Sequence, residues 1–135
     1  MKKAESEATS SGKQILEMSQ KLIDEKQIFV GGCWDFINSV YNRSGFTADK
    51  RETVFKSKQK GPYLTDPDLI RPGDWLYFIN HSYRDIEHSA IFIAWTSKSK
   101  KEAMMVNYVG EKKKKPAFYK KFLLDEVYNI IRPRE

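Results

Sequence analysis

The period of the apolar residues changes once along this chain, and that change constrains the fold more than any single motif does. From Gly12 to Lys26, Ile15, Leu16, Met18, Leu22 and Ile23 recur at helical spacing. After Cys33, Phe36, Ile37, Val40 and Tyr41 do the same. Beyond Asp74 the apolar runs are short, aromatic or β-branched and bounded by turn residues, which predicts strands over 75–79, 88–95, 103–109 and 127–131, the last closed by Pro133. Helices first and strands afterwards predict an α+β domain with its N-terminal helices packed on one face of an antiparallel β-sheet.

The punctuation between these runs is equally readable. Gly45 is a natural left-handed cap for the helix that begins at Cys33, with Phe46 packing behind it. One more short helix is expected around 50–56. Gly61, Pro62 and Pro67 make 61–67 a loop, and Arg71-Pro72-Gly73-Asp74 is a turn that launches the first long strand. Residues 1–11 carry no large apolar side chain beyond Met1 and are expected to form a disordered leader, which leaves 12–135 as a single domain.

With 135 residues the chain has the size of one domain, and its single cysteine excludes an intramolecular disulfide or a multi-cysteine zinc site. No stretch approaches the roughly 20 apolar residues that cross a bilayer. No secretory apolar region follows Met1, so the expected location is periplasmic or extracellular if a signal has been removed and cytoplasmic otherwise. The net charge of +6 is concentrated in Lys98, Lys100 and Lys101, then Lys112, Lys113, Lys114 and Lys115, then Lys120 and Lys121. Such a run suits a polyanion such as a wall polymer, an anionic lipid surface or nucleic acid, the last the least favoured; a solvated turn is the other reading.

Cys33 follows Gly31-Gly32 and opens an amphipathic run, so its thiol lies on the inward face of a helix's first turn. Unpaired backbone N–H groups and the positive end of the helix dipole favour a thiolate there. The alternative is a small buried core residue. Of the two histidines, His81 lies in a polar loop, whereas His88 opens a strand and shares a face with Ala90, Phe92 and Ala94, whose small members leave room for a helix end. A base needs rigid positioning, which favours His88. If the strands over 88–95 and 103–109 form a hairpin, Asn107 returns toward His88 and can fix its tautomer; on periodicity alone it can equally face solvent.

The ordered set Gly31-Gly32-Cys33, Asn42-Arg43-Ser44-Gly45-Phe46, Arg71-Pro72-Gly73-Asp74-Trp75 and His88-Ser89-Ala90-Ile91-Phe92-Ile93 resembles the NlpC-type cell-wall cysteine peptidases, a compact papain-like family. The resemblance runs from about Gly12 to Pro133. It implies Cys33 as nucleophile, His88 as general base and Asn107 as the orienting group. It also implies oxyanion and substrate contacts at Cys33, Gly32, Trp34 and Phe29, with Phe29 in place of the family's upstream tyrosine. The implied substrate is a peptidoglycan stem peptide cut between γ-D-glutamyl and a diamino acid, with no metal or cofactor and with Lys112 to Lys115 available to anionic wall polymers. Rival assignments are a CHAP-type amidase, a lipid acyltransferase, or a non-catalytic basic module in which Trp34, Trp75, Tyr77 and Phe78 stack on nucleic acid.

Overall fold

The computed structural model describes residues 2–58 and 66–134. Three helices, α1 (Lys2–Glu7), α2 (Ser10–Asp24) and α3 (Cys33–Arg43), precede six strands: β1 (Arg51–Lys56), β2 (Trp75–Asn80), β3 (Ile86–Ser97), β4 (Glu102–Asn107), β5 (Phe118–Leu123) and β6 (Val127–Pro133). The strands form one antiparallel sheet in the order β1-β6-β2-β3-β4-β5. This is the α+β arrangement that the change of period predicts, with the helices laid against one side of the sheet. No helix among the described residues is long and apolar enough to cross a membrane.

Alternation along the strands divides the apolar residues into two cores. On the helical side, Ile15, Leu16 and Leu22 of α2 and Phe36, Ile37, Val40 and Tyr41 of α3 bury against Trp75, Ile91, Ile93, Val106 and Tyr108. On the other side, Leu76, Phe78, Ala90, Phe92, Met105, Phe122 and Ile130 pack together. Phe78 of β2 and Phe122 of β5 meet with ring centroids 5.1 Å apart although β3 and β4 lie between their strands. The sheet therefore curls on itself and closes the second core with its own far strand.

The turn before β2 joins the layers. Gly73 has φ +93°, and a Cβ there would stand 2.8 Å from Gly12 Cα, so α2 meets the turn backbone to backbone. The Tyr41 hydroxyl donates to Gly73 O at 2.8 Å, and Gly73 N donates to Phe92 O at 2.8 Å. Asp74 is 1 % exposed. Its carboxylate accepts from Arg132 Nε and Nη2 at 2.8 and 2.7 Å and from Arg71 N at 2.8 Å.

Three expectations need correction. Residues 51–56 form strand β1 rather than a helix, because Glu52, Thr53 and Phe55 pair with β6, a partner far away in sequence. The lysine-rich residues 118–123, where no strand is expected, form strand β5. Both are edge strands, where charge protects an open side and blurs the alternation that reveals an inner strand. Residues 2–7 form α1 rather than a disordered leader, because Ala4 fits into the helical-side core. The cap at Gly45 follows expectation: its φ is +92°, and Phe46 N donates to Tyr41 O at 2.8 Å. The loop expected at 61–67 lies outside the described residues through position 65, and Pro67–Leu69 forms a short 3-10 turn.

Burial pushes the Asp74 carboxyl up, against the hydrogen bonds from Arg132 and Arg71 N–H. Arg132→Ala is expected to cost about 3 kcal/mol in urea unfolding at neutral pH, because it strands a buried carboxylate. A carboxyl titrating higher in the folded than in the unfolded state binds more protons when folded. The deficit is therefore expected to shrink as pH falls and protonation removes the unpaired charge.

Candidate functional site

The start of α3 is built by backbone constraints before any chemistry enters. Gly31 has φ +99°, and a Cβ on it would sit 2.1 Å from Asp35 Oδ2. That carboxylate accepts from Gly32 N at 2.8 Å, which caps the helix from within its first turn. Gly31 O accepts from Glu111 N at 2.9 Å. Phe29 is fixed from both sides by the Tyr108 hydroxyl, at 2.8 Å to its N and 2.8 Å to its O. The Phe29 ring packs edge-on against Phe36 and Tyr108. Phe29 thus anchors the approach to Cys33, its ring half-buried against the helical-side core.

Cys33 meets β3 at a place where the sheet is open. The β3–β4 ladder ends at Ile91–Val106, while β4 stays paired to β5 as far as Asn107–Phe118. Residues 86–90 therefore lie beside β2 alone, and the start of α3 occupies the vacated side. Cys33 and His88 are 3.7 Å apart. Ser89 Oγ donates to Cys33 Sγ at 3.6 Å, and the Ser89 backbone adds a further hydrogen bond to the sulfur. The approach differs from the one expected. Ala90 faces the second core, away from the helices, so the helix end reaches His88 across the strand edge instead of over small side chains.

His88 is clamped on its second-core side. Its ring packs against Phe78 and Phe122 with centroids 5.6 Å away in each case. Its Nε2 donates to Asn107 Oδ1 at 2.6 Å. With Nε2 engaged as a donor, Nδ1 is the nitrogen left for the thiol. Asn107 is 2 % exposed on an inner strand, so the solvent-facing alternative does not hold.

The electrostatics follow from this geometry. Burial alone would raise the Cys33 thiol, but hydrogen bonds from His88 and Ser89 and the charge of His88 bring it down to about 7. Burial alone would lower His88, yet its bonds to Cys33 and Asn107 hold it above the usual imidazole range. The opposed shifts favour a thiolate beside an imidazolium.

Two contributors were given no part in this site by the sequence. Ser89 follows His88, and period two turns it to the helical side, where it reaches the sulfur. Tyr77 lies opposite Ser89 in the ladder, and the Trp34 side chain hydrogen-bonds its hydroxyl. Burial, with the Cys33 charge adding to it, raises that hydroxyl and keeps it protonated. Trp34 itself is 47 % exposed and lies tilted on Trp75. Trp75 and Phe78 are buried, which removes two of the four aromatic surfaces suggested for base stacking. Gly32 leaves open space where a side chain would stand.

The remaining polar groups fall elsewhere. His81 is held in the turn after β2 by Asp85 at 2.8 Å and by Asp125 and Glu126 at 3.0 Å each. Among the described residues, no group of His, Cys, Asp or Glu is arranged to hold a metal ion. Lys112, Lys113, Lys114 and Lys115 are exposed on and after a 3-10 turn at Glu111–Lys113. No family model, curated protein or solved structure matches the chain.

A thiol titrating at about 7 rather than 9.0 gives a concrete pH dependence. Alkylation of Cys33 by iodoacetamide is expected to lose rate as pH falls through about 7, where the thiolate is protonated. In His88→Ala the inflection is expected to move upward, measured by mass spectrometry of the labelled chain across a pH series.

Proposed function

We propose that this chain is a cysteine hydrolase of the NlpC type that cuts an amide bond in peptidoglycan stem peptides, between γ-D-glutamyl and a diamino acid. The observation that carries the reading is the continuous line from Cys33 sulfur through the His88 imidazole to the Asn107 amide, set at the start of a helix. Sulfur supplies the nucleophile, the imidazole moves the proton, and the amide holds the ring in one tautomer.

In the proposed reaction, the Cys33 proton resides on His88 Nδ1 and the thiolate attacks the amide carbonyl. Negative charge gathers on the carbonyl oxygen, where free N–H groups of the first turn of α3, including that of Cys33, stabilise it. The C–N bond then breaks, and His88 returns the proton to the departing amine. A thioester remains on Cys33. Water, deprotonated by His88, attacks it; the acid leaves and the sulfur regains its hydrogen. Ser89 supports the thiolate between cycles, and Tyr77 and Trp34 border the approach from the opposite side. Within this reading, the exposed lysines at 112–115 keep the enzyme near anionic wall polymers.

Cys33→Ala is expected to abolish hydrolysis of purified muropeptides while circular dichroism and melting temperature stay at wild-type values. Unchanged turnover in that variant removes the assignment. Asn107→Ala is expected to lower kcat by about 10²-fold, the low end of what a positioned base contributes, because thiol and oxyanion donors remain.

A further inference from the structure

At one end of the sheet β2 turns into β3, β4 leads toward β5, and the start of α3 lies against the first residues of β3. Several large apolar side chains are exposed there. Tyr83 and Ile86 come from the turn between β2 and β3, Val109 from the segment after β4, Val30 from the approach to α3 and Trp34 from its first turn. They form a continuous rim. Tyr83, Ile86 and Val109 line one recess of about 280 Å³, Val109 lines a second with Gly31 and Gly32, and Val30 and Cys33 adjoin those glycines in the chain. Val30, 83 % exposed, stands furthest into water. Scattered apolar residues on a surface are ordinary, but a continuous set beside charge marks an interaction face.

That charge is present at the same end. Between 109 and 121 six lysines stand against one carboxylate, Glu111. Lys112 to Lys115 and Lys120 are exposed and form no ion pair among the described residues, and Lys112, Lys113 and Lys120 line the two recesses. At the opposite end, in the turn between β3 and β4, Lys98 is paired with Asp68. A soluble polyanion answers the lysines and leaves the apolar rim in water. An anionic bilayer answers both, since its headgroups take ammonium groups while its acyl boundary takes aromatic and branched side chains. We propose that this end of the protein docks on an anionic lipid surface, with Val30, Trp34 and Val109 reaching beneath the headgroups and Lys112 to Lys115 lying among them. Cys33 sits inside the rim, so docking turns the thiol toward the lipid, and the molecules it meets while docked are those presented at that surface. The proposal is independent of the reaction assigned to Cys33.

The test is co-sedimentation of the full chain with vesicles of phosphatidylcholine alone or of an equimolar mixture with phosphatidylglycerol. The wild type is expected to bind the mixed vesicles and not the neutral ones; no binding to the mixed vesicles overturns the proposal. Lys112→Gln/Lys113→Gln/Lys114→Gln/Lys115→Gln is expected to weaken binding by at least about 10²-fold, each lysine counting as it does near an anionic leaflet. Val30→Ser/Val109→Ser keeps every charge and is expected to weaken it about tenfold through lost apolar burial. Lys98→Gln/Lys100→Gln, at the far end of the sheet, is expected to bind as the wild type does. All of these side chains are exposed, so the fold tolerates their exchange. Wild-type binding by the valine variant, with equal binding of both proteins to soluble polyglutamate, overturns the lipid surface and leaves a polyanion site. A second measurement reads the docked face: mixed vesicles are expected to slow iodoacetamide labelling of Cys33. Labelling at an unchanged rate on vesicle-bound protein overturns the placement of the site at the lipid.

Discussion

The buried carboxylate of Asp74 is the point on which the layers of this fold depend. Its bonds to Arg132 and to Arg71 N–H tie the turn before β2 to β6. The same turn carries the Gly12–Gly73 approach to α2 and the Tyr41 bond to α3. One short segment thus fixes two helices and the sheet relative to each other. A carboxylate taken out of water demands such partners, since its desolvation is recovered only through good geometry and full hydrogen bonding. Because α3 is pinned at Tyr41, near its C-terminal end, its opposite end is held steady against β3.

What that end meets is decided by the departure of β4. In a continuous ladder, His88 and Ser89 face opposite sides of the sheet, and a single helix reaches only one of them. Where β4 leaves β3, the strand offers its edge, and both neighbours come within reach of one sulfur. The imidazole acts from the second core and the serine from the helical side. Each half of the environment is rigid for its own reason: rings of Phe78 and Phe122 on one side, the β2–β3 ladder on the other.

Much of this was legible in the residues. The helical period up to Tyr41, the strand runs after Asp74 and the cap at Gly45 all express local rules, and each gives its element. Cys33, His88 and Asn107 were readable because the chain has one cysteine and two histidines, so few pairings exist to be weighed. The edge strands were not legible, since β1 and β5 carry Lys, Arg and Glu where an inner strand carries Val or Ile, and only their distant partners make them strands. Ser89 and Tyr77 escaped for a related reason. Their roles depend on where a ladder stops, and the register of nonlocal pairing leaves little trace in a single run of residues.

The gap left by β4 has a bearing on solubility as well as on chemistry. A strand flank with unpaired backbone groups is a template for another chain, and proteins cover such flanks or charge them. Here the cover is the Gly31–Cys33 approach and the first turn of α3. The helix start that brings Cys33 onto Ser89 therefore also stands where a foreign strand would add to β3. Loosening of this helix start would expose an adhesive edge at the same moment as it separated Cys33 from His88, so loss of the low-titrating thiol and self-association are coupled outcomes of one local opening.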